Sequence, residues 1–104
     1  MDKRKINWGE GHQFSIHPQD TNWNDIGGVY LFCAQSSPGN WTALYIGQTE
    51  SLASRLPNHE RWSEAFRFGA THIHVKVVTS ESQRLALEES LLRKYKPPLN
   101  TQNI

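Results

Sequence analysis

Two β-rich runs, Val29 to Ala34 and Trp41 to Ile46, are separated by only six residues, Gln35 to Asn40. This spacing constrains the chain more than any other feature. The linker carries Pro38-Gly39-Asn40, which is turn chemistry, and strands joined by a turn run antiparallel. A hairpin therefore organises the fold. If all six linker residues form the loop, the cross-strand partners are Ala34 with Trp41, Phe32 with Ala43, and Tyr30 with Tyr45. The last pair would set two phenols on one sheet surface, about 5 Å apart. Such a pair either serves only to stabilise a sheet or belongs to a site, and spacing alone does not choose.

Further elements follow from periodicity. Residues 70–79 alternate, with Thr71, Ile73, Val75 and Val77 on one side and His72, His74 and Lys76 on the other, the pattern of a half-buried third strand. Ser80 with Gln83 forms a capping-box pattern that opens a helix from Glu81 to Lys94, ended by Pro97-Pro98. Thr49-Glu50-Ser51 offers N-caps for a short helix from Leu52 to Leu56, which Pro57 stops or kinks. A second short helix from Glu60 to Phe68 is suggested by Trp62, Ala65 and Phe66, with Gly69 just past its end. Residues 1–26 hold isolated apolar residues, Trp8, Phe14, Ile16 and Trp23, without a sustained period, and read as an irregular lead-in. The expectation is a single α+β domain over residues 27–104, an α/β sandwich with a three-stranded, mainly antiparallel sheet flanked by helices.

Composition narrows the function classes. With 104 residues, 37% hydrophobic, the chain has material for one core. Eleven Lys+Arg against ten Asp+Glu leave a net charge of +1, so charge alone does not mark a nucleic-acid binder. A single cysteine, Cys33, excludes an internal disulfide and a multi-thiolate zinc site, and fits a reducing compartment. The first 25 residues are charged and lack an apolar stretch, and no later run reaches the ~18 apolar residues of a membrane span. A soluble, cytoplasmic protein with no membrane partner is expected.

The closing helix carries the least comfortable residue. Leu85, Leu87, Leu91, Leu92 and Tyr95 form an apolar stripe whose centre falls within about 15° of Glu88. A carboxylate at that position must be protonated, paired with a cation, or turned toward a polar cavity, and a metal ion would satisfy it. Glu89 lies at the stripe's edge and reads as ordinary surface. Arg55 and His59, four residues apart behind the second strand, suit a phosphate site: one is a permanently charged fork, the other an imidazole that titrates near neutrality. Other groups are weaker. His72 and His74 are either a metal pair or simply exposed, and Trp8, Trp23, Trp41 and Trp62 either stack on bases or pack. The cations of Lys3-Arg4-Lys5, Arg61, Arg67, Lys76, Arg84, Arg93, Lys94 and Lys96 are spread along the chain, and a solvated surface accounts for most of them.

Gly28-Val29-Tyr30, Tyr45-Ile46-Gly47, Arg55, Leu87-Glu88-Glu89-Ser90-Leu91-Leu92 and Lys96-Pro97-Pro98-Leu99-Asn100, in this order, resemble the successive signatures of the GIY-YIG nuclease domain. Val29 stands where isoleucine is usual. The resemblance implies a compact domain with a three-stranded antiparallel sheet and a DNA endonuclease activity using one divalent cation, magnesium or manganese. It makes Glu88 the metal ligand, Tyr30 and Tyr45 the signature phenols, Arg55 the signature arginine, and Asn100 a structural or phosphate-proximal amide. His59 is similar to the histidine of an arginine-histidine pair in the restriction-enzyme branch. On this reading Tyr30 deprotonates a water, Tyr45 or His59 relays the proton, and Arg55 neutralises the charge that grows on the phosphate. The rival is a catalytically silent nucleic-acid-binding module of the same fold. The resemblance leaves open whether the protein works alone, as a homodimer, or beside a DNA-targeting partner.

Overall fold

The computed structural model describes residues 4–100. Its strands are β1 (Lys5–Trp8), β2 (His12–Pro18), β3 (Gly28–Ser37), β4 (Asn40–Thr49) and β5 (Ala70–Val77). The helices are α1 (Leu52–Arg55), α2 (Trp62–Arg67) and α3 (Glu81–Tyr95), followed by a short 3-10 turn at Pro98–Asn100. All strand pairs are antiparallel, in the order β1-β2-β5-β3-β4. The sheet thus has five strands rather than three. The expected irregular lead-in supplies the other two, since β1 and β2 form a hairpin and β2 pairs with the free edge of β5. Lys3 of the basic run at the start lies outside the described residues.

Each face of the sheet has its own apolar cluster. One gathers Tyr30, Phe32, Leu44, Ile73 and Val75 with Leu52, Leu56, Ala65 and Leu99, beneath α1, α2 and the 3-10 turn. The other gathers Trp8, Phe14, Val29, Leu31, Cys33, Ala43 and Ile46 with Leu87 and Leu91 of α3. Covering both faces changes the reading of β5. Its second side is not polar surface: His74 is fully buried against Trp8 and Trp41, whereas Val77 is 53% exposed. In α3 the inward residues are Arg84, Leu87 and Leu91, and Leu85, expected in the stripe, is 45% exposed.

The hairpin register also differs from expectation. The strands run on to Ser37 and Asn40, so only Pro38-Gly39 remains at the tip, with Gly39 in the left-handed region at φ 81. Tyr30 pairs with Gly47 and Tyr45 with Phe32, instead of with each other. The phenols still share a face because Tyr45 stands opposite Phe32, two residues along β3 from Tyr30, and a β-bulge follows directly after that pair. Phe32 pairs with Tyr45 but Cys33 pairs with Ala43, which leaves Leu44 as an extra residue on β4. Ala43 consequently packs in the α3-side cluster, while Leu44 and Tyr45 both turn to the opposite face.

Candidate active site

Tyr30 lies mid-strand with 1% of its surface exposed, and its phenol crosses directly over Gly47. A methyl group at Gly47 would collide with the ring and hydroxyl, so the close crossing requires glycine there. Tyr45, diagonal to Tyr30 on the same face, has its ring centroid 6.4 Å away. Its hydroxyl makes no hydrogen bond among the described residues, which leaves it available to a ligand.

His59 follows α1 in the turn after Pro57 and reaches into this pair. It is 5% exposed and stands edge-on to Tyr30, Phe32 and Tyr45 at 5.5, 4.9 and 5.1 Å. The Arg61 backbone N–H donates to its Nδ1 at 3.0 Å, and its Nε2 lies 2.8 Å from the Tyr30 hydroxyl. A neutral ring whose Nδ1 accepts must carry its proton on Nε2, so His59 donates to Tyr30 rather than accepting from it. Burial, reinforced by the Arg55 charge, lowers the His59 pKa to about 4 and keeps the ring neutral at physiological pH. This geometry does not suit the expected relay from Tyr30 to His59. It instead supports negative charge on the Tyr30 oxygen.

Arg55 sits in the last turn of α1, whose start is capped by the Ser51 hydroxyl accepting from the Ser54 N–H; that hydroxyl in turn donates to Asp25 at 2.6 Å. The Arg55 fork is engaged by Glu60 through two bonds of 2.7 and 2.8 Å at the protein surface. The guanidinium holds the Glu60 carboxyl down at about 2. Burial raises both phenol pKa values above the ordinary range, and the Arg55 charge pulls each of them back in part.

Glu88 comes from α3, half-buried, and burial raises its pKa. No basic side chain lies within ion-pair distance of it among the described residues, so the structural ion pair weighed from periodicity is not formed. Its negative charge is felt by Tyr30 and Tyr45 alike and raises both. The carboxylate and the two phenols therefore share one electrostatic neighbourhood. Asn100 is fixed differently: its side-chain amide accepts from the Ile46 N–H at 2.8 Å and donates to the Ile46 carbonyl at 2.9 Å, which ties the chain beyond α3 to β4. Among the described residues no group of three or more His, Cys, Asp or Glu side chains could hold a metal ion, and His72 and His74 form no such site.

Known proteins resemble this chain in sequence and in fold. The sequence model of the UvrC-like GIY-YIG domain matches residues 26–101. The chain belongs to the UvrC-like GIY-YIG domain family. UvrABC system protein C of Thermotoga maritima is 32% identical over 77 residues, covering 70% of this chain, and this chain spans only 13% of that protein's length. The crystal structure of the GIY-YIG N-terminal endonuclease domain of that UvrC, bound to magnesium as its catalytic divalent cation, superposes with a TM-score of 0.62 at 28% identity, covering 76% of this chain and 88% of that one. A variant of the same domain with an asparagine replaced, also bound to its catalytic divalent cation, gives a TM-score of 0.63 at 26% identity, with coverages of 77% and 88%.

Several contributors to this GIY-YIG site escape sequence reasoning. Gly47 was visible inside its motif, but the phenol crossing over it is a property of the register. Glu60, the partner of Arg55, is five residues downstream and reads as one more surface acid. Arg84 reads as a solvated cation yet is only 5% exposed.

Proposed function

We propose that this GIY-YIG domain is a metal-dependent endonuclease that hydrolyses DNA phosphodiester bonds. One observation carries the reading: Glu88 is a half-buried carboxylate without a cationic partner among the described residues, and its charge is felt by both phenols. A lone carboxylate suits a hard cation such as magnesium or manganese, which keeps most of its waters and takes further oxygens from a phosphate. Glu88 would hold the divalent cation, which would supply positive charge against the negative charge that grows during phosphodiester hydrolysis.

The protein's own groups do the rest. Tyr30 takes the proton of the attacking water, and the His59 Nε2–H and the Arg55 charge hold the phenolate that this requires. Arg55 also contacts the phosphate, once Glu60 releases the fork. Tyr45, with its hydroxyl unengaged, orients the water or a phosphate oxygen. Asn100 acts by holding β4 in place, and any contact it makes to phosphate is secondary to its two bonds to Ile46. Target choice falls to a DNA-targeting partner or a second copy, because the cations on this chain are dispersed. The setting is cytoplasmic: Cys33 is a buried free thiol, and among the described residues no helix is long and apolar enough to cross a membrane.

A plasmid-nicking assay with and without magnesium tests the proposal. The parent should nick only with the cation, and Glu88→Gln should lose on the order of a hundredfold or more while DNA binding persists. Binding without nicking by the parent would make the domain a silent nucleic-acid module. Equal nicking by Glu88→Gln would remove Glu88 from the site.

A further inference from the structure

We infer that Arg84 is a positioning residue that sets the rotation of α3 and thereby aims Glu88 at the phenol pair, an inference that rests on the metal-site reading above. Arg84 lies one helical turn before Glu88 and is 5% exposed, although no carboxylate lies within ion-pair distance of it among the described residues. Burying a cation without a counter-ion is costly unless its donors are satisfied. Here the donors are spent on the sheet. Nε donates to the Gln48 side-chain oxygen at 2.9 Å, and one terminal nitrogen donates to the carbonyls of Val78 and Thr79 at 3.2 and 3.0 Å.

These partners define the end of the sheet that carries the site. Gln48 follows Gly47, the residue under the Tyr30 ring, while the Val78 N–H donates to Gly27, two residues before Val29. Gly27 makes the room: a methyl group there would stand 2.5 Å from the Arg84 nitrogen. One planar side chain thus bonds β4 and the segment entering α3, packed against Gly27 just before β3. Rotating α3 by one residue, about 100°, would break every one of these bonds and swing Glu88 away from Tyr30 and Tyr45. Arg84 works through the helix, because the bonds that hold it run to Gln48, Val78 and Thr79 and not to Glu88. Side chains that orient a metal ligand typically govern affinity by ~10–100-fold.

The test is manganese binding to the protein without DNA, followed by the electron paramagnetic resonance signal of the free ion, with circular dichroism and thermal melting to verify the fold. Arg84→Met should keep its secondary structure and bind manganese at least about tenfold more weakly. Arg84→Lys, which keeps the charge but loses the fork, should recover only part of that loss. Gln48→Ala removes a single bond from an otherwise intact site and should weaken binding by a smaller factor, which decides the matter if Arg84→Met fails to fold. Parental manganese affinity in folded Arg84→Met, or in Gln48→Ala when Arg84→Met is unfolded, overturns the inference. A parent that binds no manganese refutes the metal-site reading itself, a different outcome from parent-like binding by the variants.

Discussion

Glu60 occupies the place on Arg55 that a phosphate would take, and the two oxygens of its carboxylate already match the guanidinium fork. An exposed ion pair of this kind is weak, so a phosphate can displace it, but the displacement still subtracts from DNA affinity. Glu60→Gln should therefore tighten DNA binding by roughly two- to fivefold at low salt, measured by fluorescence anisotropy, with little effect on folding. Tyr30 makes a second prediction at this scale. Its phenol is held protonated by burial, so the fraction able to accept a proton grows tenfold with each pH unit below its raised pKa. The cleavage rate should rise across pH 7–9 with a logarithmic slope of about one. Tyr30→Phe should lose both the rate and the slope, and a slope persisting in that variant would transfer the proton to another group.

His74 joins two elements, because Trp8 of β1 donates its indole N–H to His74 Nδ1 of β5 at 2.9 Å. The remaining ring N–H is buried without a partner among the described residues, and burial, followed by the neighbouring charges of His72, Arg4 and His17, lowers the pKa to about 3. A histidine neutral in the fold but titrating near 6.5 when unfolded leaves stability intact above that pH. Stability is then lost as pH falls from about 6.5 toward 3, up to about 2 kcal/mol from this group by pH 5. His59, at about 4, adds a loss of the same sign. Denaturant titrations at pH 7 and 5 should show the drop, and His74→Gln should shrink it. Parental pH dependence in that variant would mean that other groups carry the effect.

Legibility varied by element. Helix α3 and strand β5 were readable because caps, prolines and alternation are local signals. Strands β1 and β2 were missed, although Ile6 with Trp8 and Phe14 with Ile16 alternate on either side of Gly9 and Gly11, which both take left-handed conformations. Two apolar residues per strand make a pattern too short to stand out. The burial of His74 and Arg84 was invisible for another reason: a polar residue goes inside only when partners distant in sequence meet it, here Trp8 and Gln48.

For the whole molecule, the near-neutral charge and the scatter of its cations limit what the domain can do unaided. The helices on the site face contribute Arg55, Arg61 and Arg67, of which Glu60 and Glu64 already engage the first two. Binding to duplex DNA should therefore show a log–log salt slope no steeper than about −3. A slope beyond about −5 in an anisotropy titration would bring the cations of β1 or α3 into contact with DNA. Part of the candidate site was legible from motifs, since the rings of Tyr30, Tyr45 and His59 meet and the charges of Arg55 and Glu88 act on both phenols. What motifs could not convey was which atom donates to which, because that depends on the Arg61 backbone and the Glu60 carboxylate.

The extra residue Leu44 has a last consequence. It lies between the hairpin tip and the Phe32–Tyr45 pair, so that paired insertions or deletions around Pro38-Gly39 alter only how far the tip protrudes and leave the pairing of Tyr30 with Gly47 and of Phe32 with Tyr45 undisturbed. Excising Leu44 alone would regularise the ladder, with Ala43 and Tyr45 keeping their present faces, and would take only one apolar side chain out of the cluster beside the phenols.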